Sequence, residues 1–269
     1  MRPFSKIIIK LTLLAALVST ALTSLVYSKE KALFYSAFTK FETDFKRFDE
    51  VGKTLNLLAG IGVTYRISEK SSLRLSTPFL KSLSGTREFT YLDGSLGFNY
   101  TYFKEKKGFS LSSHIGIGLP YSKNSRENSY LQTKITLSPS LNYDVKKIPD
   151  LKLTIVPTFT KNFHRSNTNA YGSSNNSYIW SLSGAAVYKI DLKSSLELKG
   201  SLLKLVTYGG YGKDRYSFEG SYSRSITKNL MSRLSVSNGG ELTDYNGDLN
   251  VKIFDAQKAL FSLSLYYSF

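Results

Sequence analysis

Apolar residues alternate with polar or small residues along most of this chain, in segments of about ten residues. In the segment that begins near residue 54, Leu55, Leu57 and Ile61 share one face, whereas Asn56 and Gly60 share the other. A period of two over this length is typical of a β-strand whose faces lie in different environments. Beyond the N-terminus no stretch has a helical period. The chain is therefore predicted to be all-β.

Thirteen segments alternate in this way, one more than a barrel with an even number of strands can use. Residues 245–254 are therefore predicted not to cross the membrane. If residues 33–41 were left out of the barrel instead, the short connections would lie on the outer side of the membrane and the long ones on the periplasmic side. We therefore expect about twelve strands, with ten or fourteen as alternatives. The other candidates are residues 33–41, 55–67, 73–81, 89–102, 109–121, 130–145, 151–163, 178–190, 195–206, 216–226, 230–237 and 259–269.

The connections between these segments alternate between short and long. The long ones, such as 41–53, 164–177 and 207–215, are rich in Ser, Asn, Gly and charge, whereas 68–72 and 227–229 are short. This asymmetry is typical of a single antiparallel transmembrane β-barrel, which has short periplasmic turns and longer outer loops.

A soluble barrel or sandwich is the competing interpretation, with the apolar face turned inward. Two features favour the membrane. Aromatic residues such as Tyr65, Trp180 and Tyr188 lie at the ends of the apolar faces, as in the girdles of bilayer-embedded barrels. The polar faces carry small residues such as Ser221 and Ser262, and a water-filled lumen tolerates serines that a soluble core would not.

The N-terminus is interpreted as a processing segment. Arg2, Lys6 and Lys10 precede the apolar run 11–26, and Ser28 offers a small residue for cleavage. These features are typical of a secretory signal peptide over residues 1–28, which leaves residues 29–269 as the barrel domain. The apolar run is shorter than the roughly 20 residues that a membrane-spanning helix requires.

The last strand ends in an aromatic residue, with hydrophobic residues at every second position before it. This ending resembles the assembly signal of bacterial outer-membrane β-barrel proteins. The resemblance implies an integral protein of the cell outer membrane, whose partners are outer-membrane lipid and the barrel-assembly machinery. The residues that carry it are Phe261, Leu263, Leu265, Tyr267 and Phe269.

Strand parity assigns more basic than acidic residues to the inward faces, with Asp93, Glu197 and Glu219 as the main acids. A narrow lumen lined by one sign of charge concentrates the opposite ion. We therefore expect a channel that passes small solutes by diffusion and prefers anions, with a plugged structural barrel as an alternative. The pattern resembles small twelve-stranded channels that pass acidic sugars along basic tracks. The inward basic residues are Arg66, Arg74, Lys134, Lys152, Lys189, Lys199 and Arg233.

A lipid esterase is the second hypothesis. His164, Ser166 and Asn167 resemble the His-x-Ser-Asn motif of outer-membrane phospholipases and lipid A deacylases. That resemblance implies a serine nucleophile activated by the histidine, with Asn175 or Asn176 orienting the ring. By strand parity His164 points inward, however, whereas those enzymes hold the pair on the outer wall.

The composition excludes several other classes. The chain has no Cys and two His, so disulfide scaffolds, thiolate catalysis and His- or Cys-rich metal sites are not expected, and no cofactor is predicted. The net charge of +16, from 36 basic and 20 acidic residues, could favour nucleic acid. The charge is spread over turns, loops and inward faces, and the chain is predicted to be exported, so no nucleic-acid partner is expected.

Overall fold

The computed structural model describes residues 33–46, 52–85, 87–106, 108–243, 248–256 and 258–269. The predicted signal peptide lies outside these described residues. Thirteen strands form one antiparallel sheet. In chain order they are β1 (Leu33–Asp44), β2 (Leu55–Arg66), β3 (Ser71–Ser82), β4 (Phe89–Tyr91), β5 (Gly94–Lys106), β6 (Phe109–Leu119), β7 (Leu131–Asp144), β8 (Leu151–His164), β9 (Asn176–Lys189), β10 (Ser194–Thr207), β11 (Gly212–Ser225), β12 (Leu230–Glu241) and β13 (Leu260–Ser268).

The sheet closes on itself. β13 pairs with β1, β1 neighbours β2, and β2 pairs with β3, so every long strand has a neighbour on each side. The twelve long strands form the barrel wall, and β4 adds three residues that pair with the end of β3. Closure leaves no unpaired edge among these strands, which is the condition for crossing a bilayer with strands. The predicted twelve-stranded antiparallel barrel is confirmed.

The excluded candidate at 245–254 forms no spanning strand in its described part, residues 248–254. Leu249 in this segment forms an isolated β-bridge with Thr243. Among the described residues no helix is long and apolar enough to cross a bilayer. The helical element at Asn124–Asn128 is a single π-helical turn in the connection between β6 and β7.

One predicted outer loop is much shorter than expected. The sequence predicts a long loop over residues 207–215, but β10 continues to Thr207 and β11 begins at Gly212. The charged residues of that segment continue the ladder, with Asp214 opposite Lys204 and Arg215 opposite Glu241. Gly210 closes the turn with a φ of 80°, which glycine adopts readily. The prediction for this connection is therefore wrong. The charged residues at the outer ends of β10 and β11 have the composition of a loop, although they form part of the strands.

A short turn at the opposite end shows how side chains set the connection. The Asp191 carboxylate accepts hydrogen bonds from the backbone N–H groups of Lys193 (2.6 Å) and Ser194 (2.7 Å). The bond from Lys193 lowers the pKa of Asp191 below its usual value, because it stabilises the ionised form. An aspartate that bonds the backbone two residues ahead is a common turn former.

The two faces of the wall are inverted relative to a soluble protein. Ser221, Ser235 and Ser262 are buried, whereas Leu198 is 70% exposed. No large side chain among the described residues is fully buried. Alternation therefore places the hydrophobic side chains on the outside of the barrel, where a bilayer would cover them.

Aromatic side chains lie at both ends of this apolar face. At the short-turn end the rings of Phe109 and Tyr143 stack with centroids 4.5 Å apart. At the long-loop end the rings of Phe159 and Trp180 lie 4.4 Å apart. Two aromatic bands separated by an aliphatic belt match the girdles of a transmembrane barrel.

Candidate functional site

The cross-strand register defines a continuous polar face. Arg233 on β12 reaches Glu197 on β10 across the intervening strand β11. Side chains two strands apart meet most readily on the concave side of a closed sheet, so this polar face lies inside the barrel. One row of directly opposed residues on it contains Lys189, Ser195, Ser223, Arg233, Ser264 and Lys40.

The register puts all seven predicted basic residues on this polar face. Thr64 lies opposite Arg74, Gly118 opposite Lys134, and Glu219 opposite Lys199. Thr64, Gly118 and Glu219 are themselves polar-face positions, and residues directly opposite each other in a sheet share a face. The seven residues are Arg66, Arg74, Lys134, Lys152, Lys189, Lys199 and Arg233.

These residues are unevenly distributed along the strands. Lys199 lies near the middle of β10, and Lys134 lies near the long-loop end of β7. The other five follow or precede a short turn by a few residues, at the end that faces the periplasm in barrels of this kind. The positive charge is therefore concentrated toward the periplasmic end, which linear alternation had not indicated.

Two of the predicted inward acids share one arginine, so this cluster keeps a net charge of −1. The Arg233 guanidinium donates to Glu197 Oε2 (2.9 Å) and to Glu219 Oε1 (2.7 Å). All three side chains are about one-quarter exposed, so the network is partly shielded from water. Asp93 is outside the strands, between β4 and β5, where it accepts hydrogen bonds from Ser122 N and Ser125 Oγ. Its predicted place in the lumen wall is not observed.

The remaining six predicted basic residues form no ion pair with another residue that the structure describes. The Arg66 guanidinium lies over the Phe34 ring, 4.7 Å from its centroid. Lys152 lies opposite Asp144 in the register without reaching ion-pair distance. The polar face therefore carries an excess of uncompensated positive charge.

Strand β1 also contributes residues to the polar face. The sequence alone could not assign its residues to one face or the other, because both faces of β1 mix apolar and polar residues. Its charged members are paired, Lys40 with Glu42 (2.6 Å) and Asp44 with Lys53 (3.0 Å). The rings of Phe38 and Tyr266 stack 6.3 Å apart across the seam between β1 and β13. Together with Arg74 they line a pocket of about 350 Å³ at the short-turn end. The second tyrosine of the terminal Tyr-Tyr pair, Tyr267, takes the outer face.

Glycines on the polar face leave room for larger neighbours. A Cβ at Gly97 would lie 2.3 Å from the His114 ring, and a Cβ at Gly118 would lie 2.3 Å from the Lys134 side chain. His114 Nδ1 is hydrogen-bonded to Asn99 Oδ1 at 2.8 Å. The glycines of the 114–118 run thus serve close packing within a strand.

The structure does not assemble the residues of the esterase hypothesis. Ser166 Oγ is hydrogen-bonded to Thr168 N and lies 3.3 Å from Thr168 Oγ1. His164 Nδ1 is buried without a hydrogen-bond partner, beside the edge of the Tyr208 ring. Asn175 Nδ2 donates to the carbonyls of Ser129 and Ser166, and the Asn176 carbonyl accepts from Asn162. Asn175 therefore ties this loop to Ser129, and neither asparagine has an observed bond to the imidazole.

No protein-family profile matches this chain, and no curated relative matches it. Solved structures do. The COG4313 outer membrane channel from Pseudomonas putida F1 superposes with a TM-score of 0.62 at 13% identity, covering 88% of this chain and 95% of that one. The fold is that of an outer-membrane β-barrel channel. The closed wall and its exposed apolar face have the arrangement of a barrel that crosses a bilayer.

Two porins of known structure are similar as well. The NanC porin has a TM-score of 0.55 at 12% identity, covering 87% of this chain and 98% of that one. The KdgM porin has a TM-score of 0.52 at 11% identity, covering 87% and 99%. KdgM was also solved in complex with disordered oligogalacturonate, and that structure superposes with a TM-score of 0.50 at 12% identity.

The terminal strand forms the closing seam. Phe269 and Tyr35 exchange two backbone hydrogen bonds of 3.0 Å, and their rings stack 5.9 Å apart. The predicted assembly residues alternate along β13 and the residue after it, so they share the outer face; they are Phe261, Leu263, Leu265, Tyr267 and Phe269.

Phe269→Ala is expected to reduce the amount of folded protein in outer membranes several-fold, because it removes the terminal aromatic ring and keeps the backbone pairing. Folded barrel is measured as the fraction that migrates faster on denaturing gels when the sample is not heated. Phe269→Tyr retains the ring and should assemble like the wild type. Equal assembly of the alanine variant would contradict the assembly-signal interpretation.

Proposed function

We propose that this protein is an outer-membrane channel through which small anionic solutes diffuse. The observation that carries the proposal is the charge balance of the polar face. The seven predicted basic residues lie there together with Glu197, Glu219 and Asp144, and six of the seven have no ion-pair partner among the described residues. Excess positive charge in a narrow, water-filled passage lowers the free energy of an anion inside it.

The periplasmic end supports acidic sugars as the first solute class to examine. Arginines lie beside aromatic rings there, with Arg66 over Phe34 and Arg74 in the pocket with Phe38 and Tyr266. Guanidinium groups bind carboxylates, and aromatic faces suit the apolar faces of sugar rings. The oligogalacturonate seen with the KdgM porin is an anion of this class.

Planar-bilayer recordings on protein isolated from outer membranes test the proposal. We expect stepwise conductance and, under a KCl gradient, a reversal potential of the sign that reports chloride preference. The preference should fade at 1 M salt, where the Debye length is only about 3 Å. Absence of conductance would favour a plugged structural barrel, and cation preference would contradict the anion assignment. Hydrolysis of phospholipid by the wild type, lost in Ser166→Ala, would favour the esterase hypothesis.

A further inference from the structure

Two residues on the lipid-facing side of the barrel are buried. The register places Tyr216 opposite Gly240 and Phe218 opposite Asn238, so Tyr216 and Asn238 share the outer face with Leu234. Leu234 is 42% exposed, as expected for a lipid-facing side chain. Tyr216 and Asn238 are each only 6% exposed. A layer of protein therefore covers the outer wall at this point.

That layer is the segment 248–255, hereafter the strap. The backbone N–H of Lys252 donates to Tyr216 Oη (2.8 Å), and Asn238 Nδ2 donates to the Lys252 carbonyl (2.6 Å). The Phe254 ring packs edge-to-face on Phe45, with centroids 6.0 Å apart. The strap is thus hydrogen-bonded to the outer face of β11 and β12 at Lys252, and it packs at Phe254 on the residue that follows β1.

The fastening point lies at the border of the apolar belt that is nearer the outer loops. Tyr216 is opposite Leu202 on β10, which is opposite Leu182 on β9. Those two leucines are 53% and 52% exposed, and the Trp180 girdle position lies further toward the outer loops. The strap backbone at Lys252 therefore lies between these leucines and the Lys204–Asp214 pair nearer the outer rim.

The exposed side of the strap is largely apolar, with the side chains of Asp248 and Lys252 exposed beside it. Leu249 is 75% exposed, Ile253 is 77% exposed and Phe254 is 58% exposed. Lys252 extends its side chain to Asp255, with Nζ and Oδ2 3.7 Å apart. Exposed apolar residues clustered in this way mark a contact surface. The same alternation made this non-spanning segment resemble a membrane strand in the sequence.

We propose that the strap is a membrane-inserted element whose occupant is the hydrocarbon of the outer leaflet. Its apolar side chains continue the lipid-facing belt of the barrel, which already has this environment. The hydrogen bonds to Tyr216 and Asn238 satisfy the strap backbone at Lys252, which hydrocarbon could not do. This role concerns how the barrel sits in the bilayer and is separate from solute passage.

Site-specific fluorescence quenching tests the proposal, because the chain has no Cys and a single one can be introduced anywhere. Ile253→Cys carries the probe on the strap, Leu198→Cys marks the lipid-facing wall, and Tyr171→Cys marks an outer loop. Each labelled protein is isolated from membranes and reconstituted into phospholipid vesicles with nitroxide-labelled acyl chains. Iodide serves as the aqueous quencher.

We expect acyl-chain nitroxides to quench the Ile253 probe as strongly as the Leu198 probe, and iodide to quench it far less than the Tyr171 probe. Strong iodide quenching without nitroxide quenching would overturn the proposal. Quenching by neither reagent would also overturn it, because a second copy or another protein would then cover the strap.

Tyr216→Phe provides an independent variant that keeps the ring and removes the hydrogen-bonding oxygen. Losing this bond should loosen the strap and raise iodide quenching of the Ile253 probe roughly twofold. The heat-dependent gel shift verifies that the barrel is folded. Unchanged quenching would show that Tyr216 Oη does not hold the strap at this depth and would contradict the fastening that the proposal requires.

Discussion

Leu198→Arg is expected to lower the free energy of unfolding by about 2–4 kcal/mol, the cost of a cation at the midplane on the lipid face of a barrel. Leu198 lies near the middle of β10 and is 70% exposed on the outer face. Its cross-strand neighbours are Ala186 and Gly220, which are too small to shield an introduced charge. The guanidinium would have to thin the bilayer locally or draw water into it.

The adjacent residue provides the matched comparison. Lys199→Ser should change stability by less than about 0.5 kcal/mol, because a hydrated polar face tolerates exchange of one polar group for another. Leu198→Ala removes the same side chain without adding charge and should cost much less than Leu198→Arg. Reversible urea unfolding in lipid vesicles measures all three. A larger loss for Lys199→Ser than for Leu198→Arg would mean that the two faces of β10 have been exchanged.

Replacing Arg66, Arg74 and Lys152 together by Ser is expected to reduce the anion preference by roughly half, because it removes half of the six uncompensated cations on the polar face. Conductance should persist, since every change shortens a side chain. The reversal potential under a KCl gradient near 0.1 M salt is the measurement, because the Debye length there is about 10 Å.

Arg233 is left intact in that variant because it is hydrogen-bonded to both Glu197 and Glu219. The control replaces the same number of cations on the outer face, at Lys81, Lys161 and Lys204, whose register partners include Leu57, Ile135 and Trp180. This control should keep the wild-type reversal potential. An equal shift in both variants would indicate that overall charge, rather than the polar face, sets the selectivity.

Much of the barrel was predictable because strand alternation is a local property with large energetic consequences. A slip of one residue in β10 would bring Lys199 to the lipid face and Leu198 to the lumen, so the pattern itself selects the facing. The even strand count then excluded residues 245–254 from the wall. The terminal aromatic strand and its outer-face residues were likewise readable, because they form one uninterrupted segment.

Prediction from the local sequence pattern was weakest where the two faces of a strand have similar composition. In β1 both faces mix polar and apolar residues, so its assignment came only from pairing with β13, where Lys40 lies opposite Ser264. The turn at 208–211 was missed because charged rim residues of β11 pair in the ladder and yet resemble a loop. In both cases a partner strand, distant in sequence, supplies the information.

The sequence by itself determined the two faces of each strand, the closed all-β architecture and the positive balance of the inward residues. Only the tertiary structure decided which charges compensate one another, because Arg233 meets two acids on other strands, 36 and 14 residues away. It also decided that the strap lies against the outer wall, through hydrogen bonds from Lys252 to Tyr216 and from Asn238 to Lys252. Alternation reports the environment of a side chain, whereas pairing between distant residues depends on how the barrel closes.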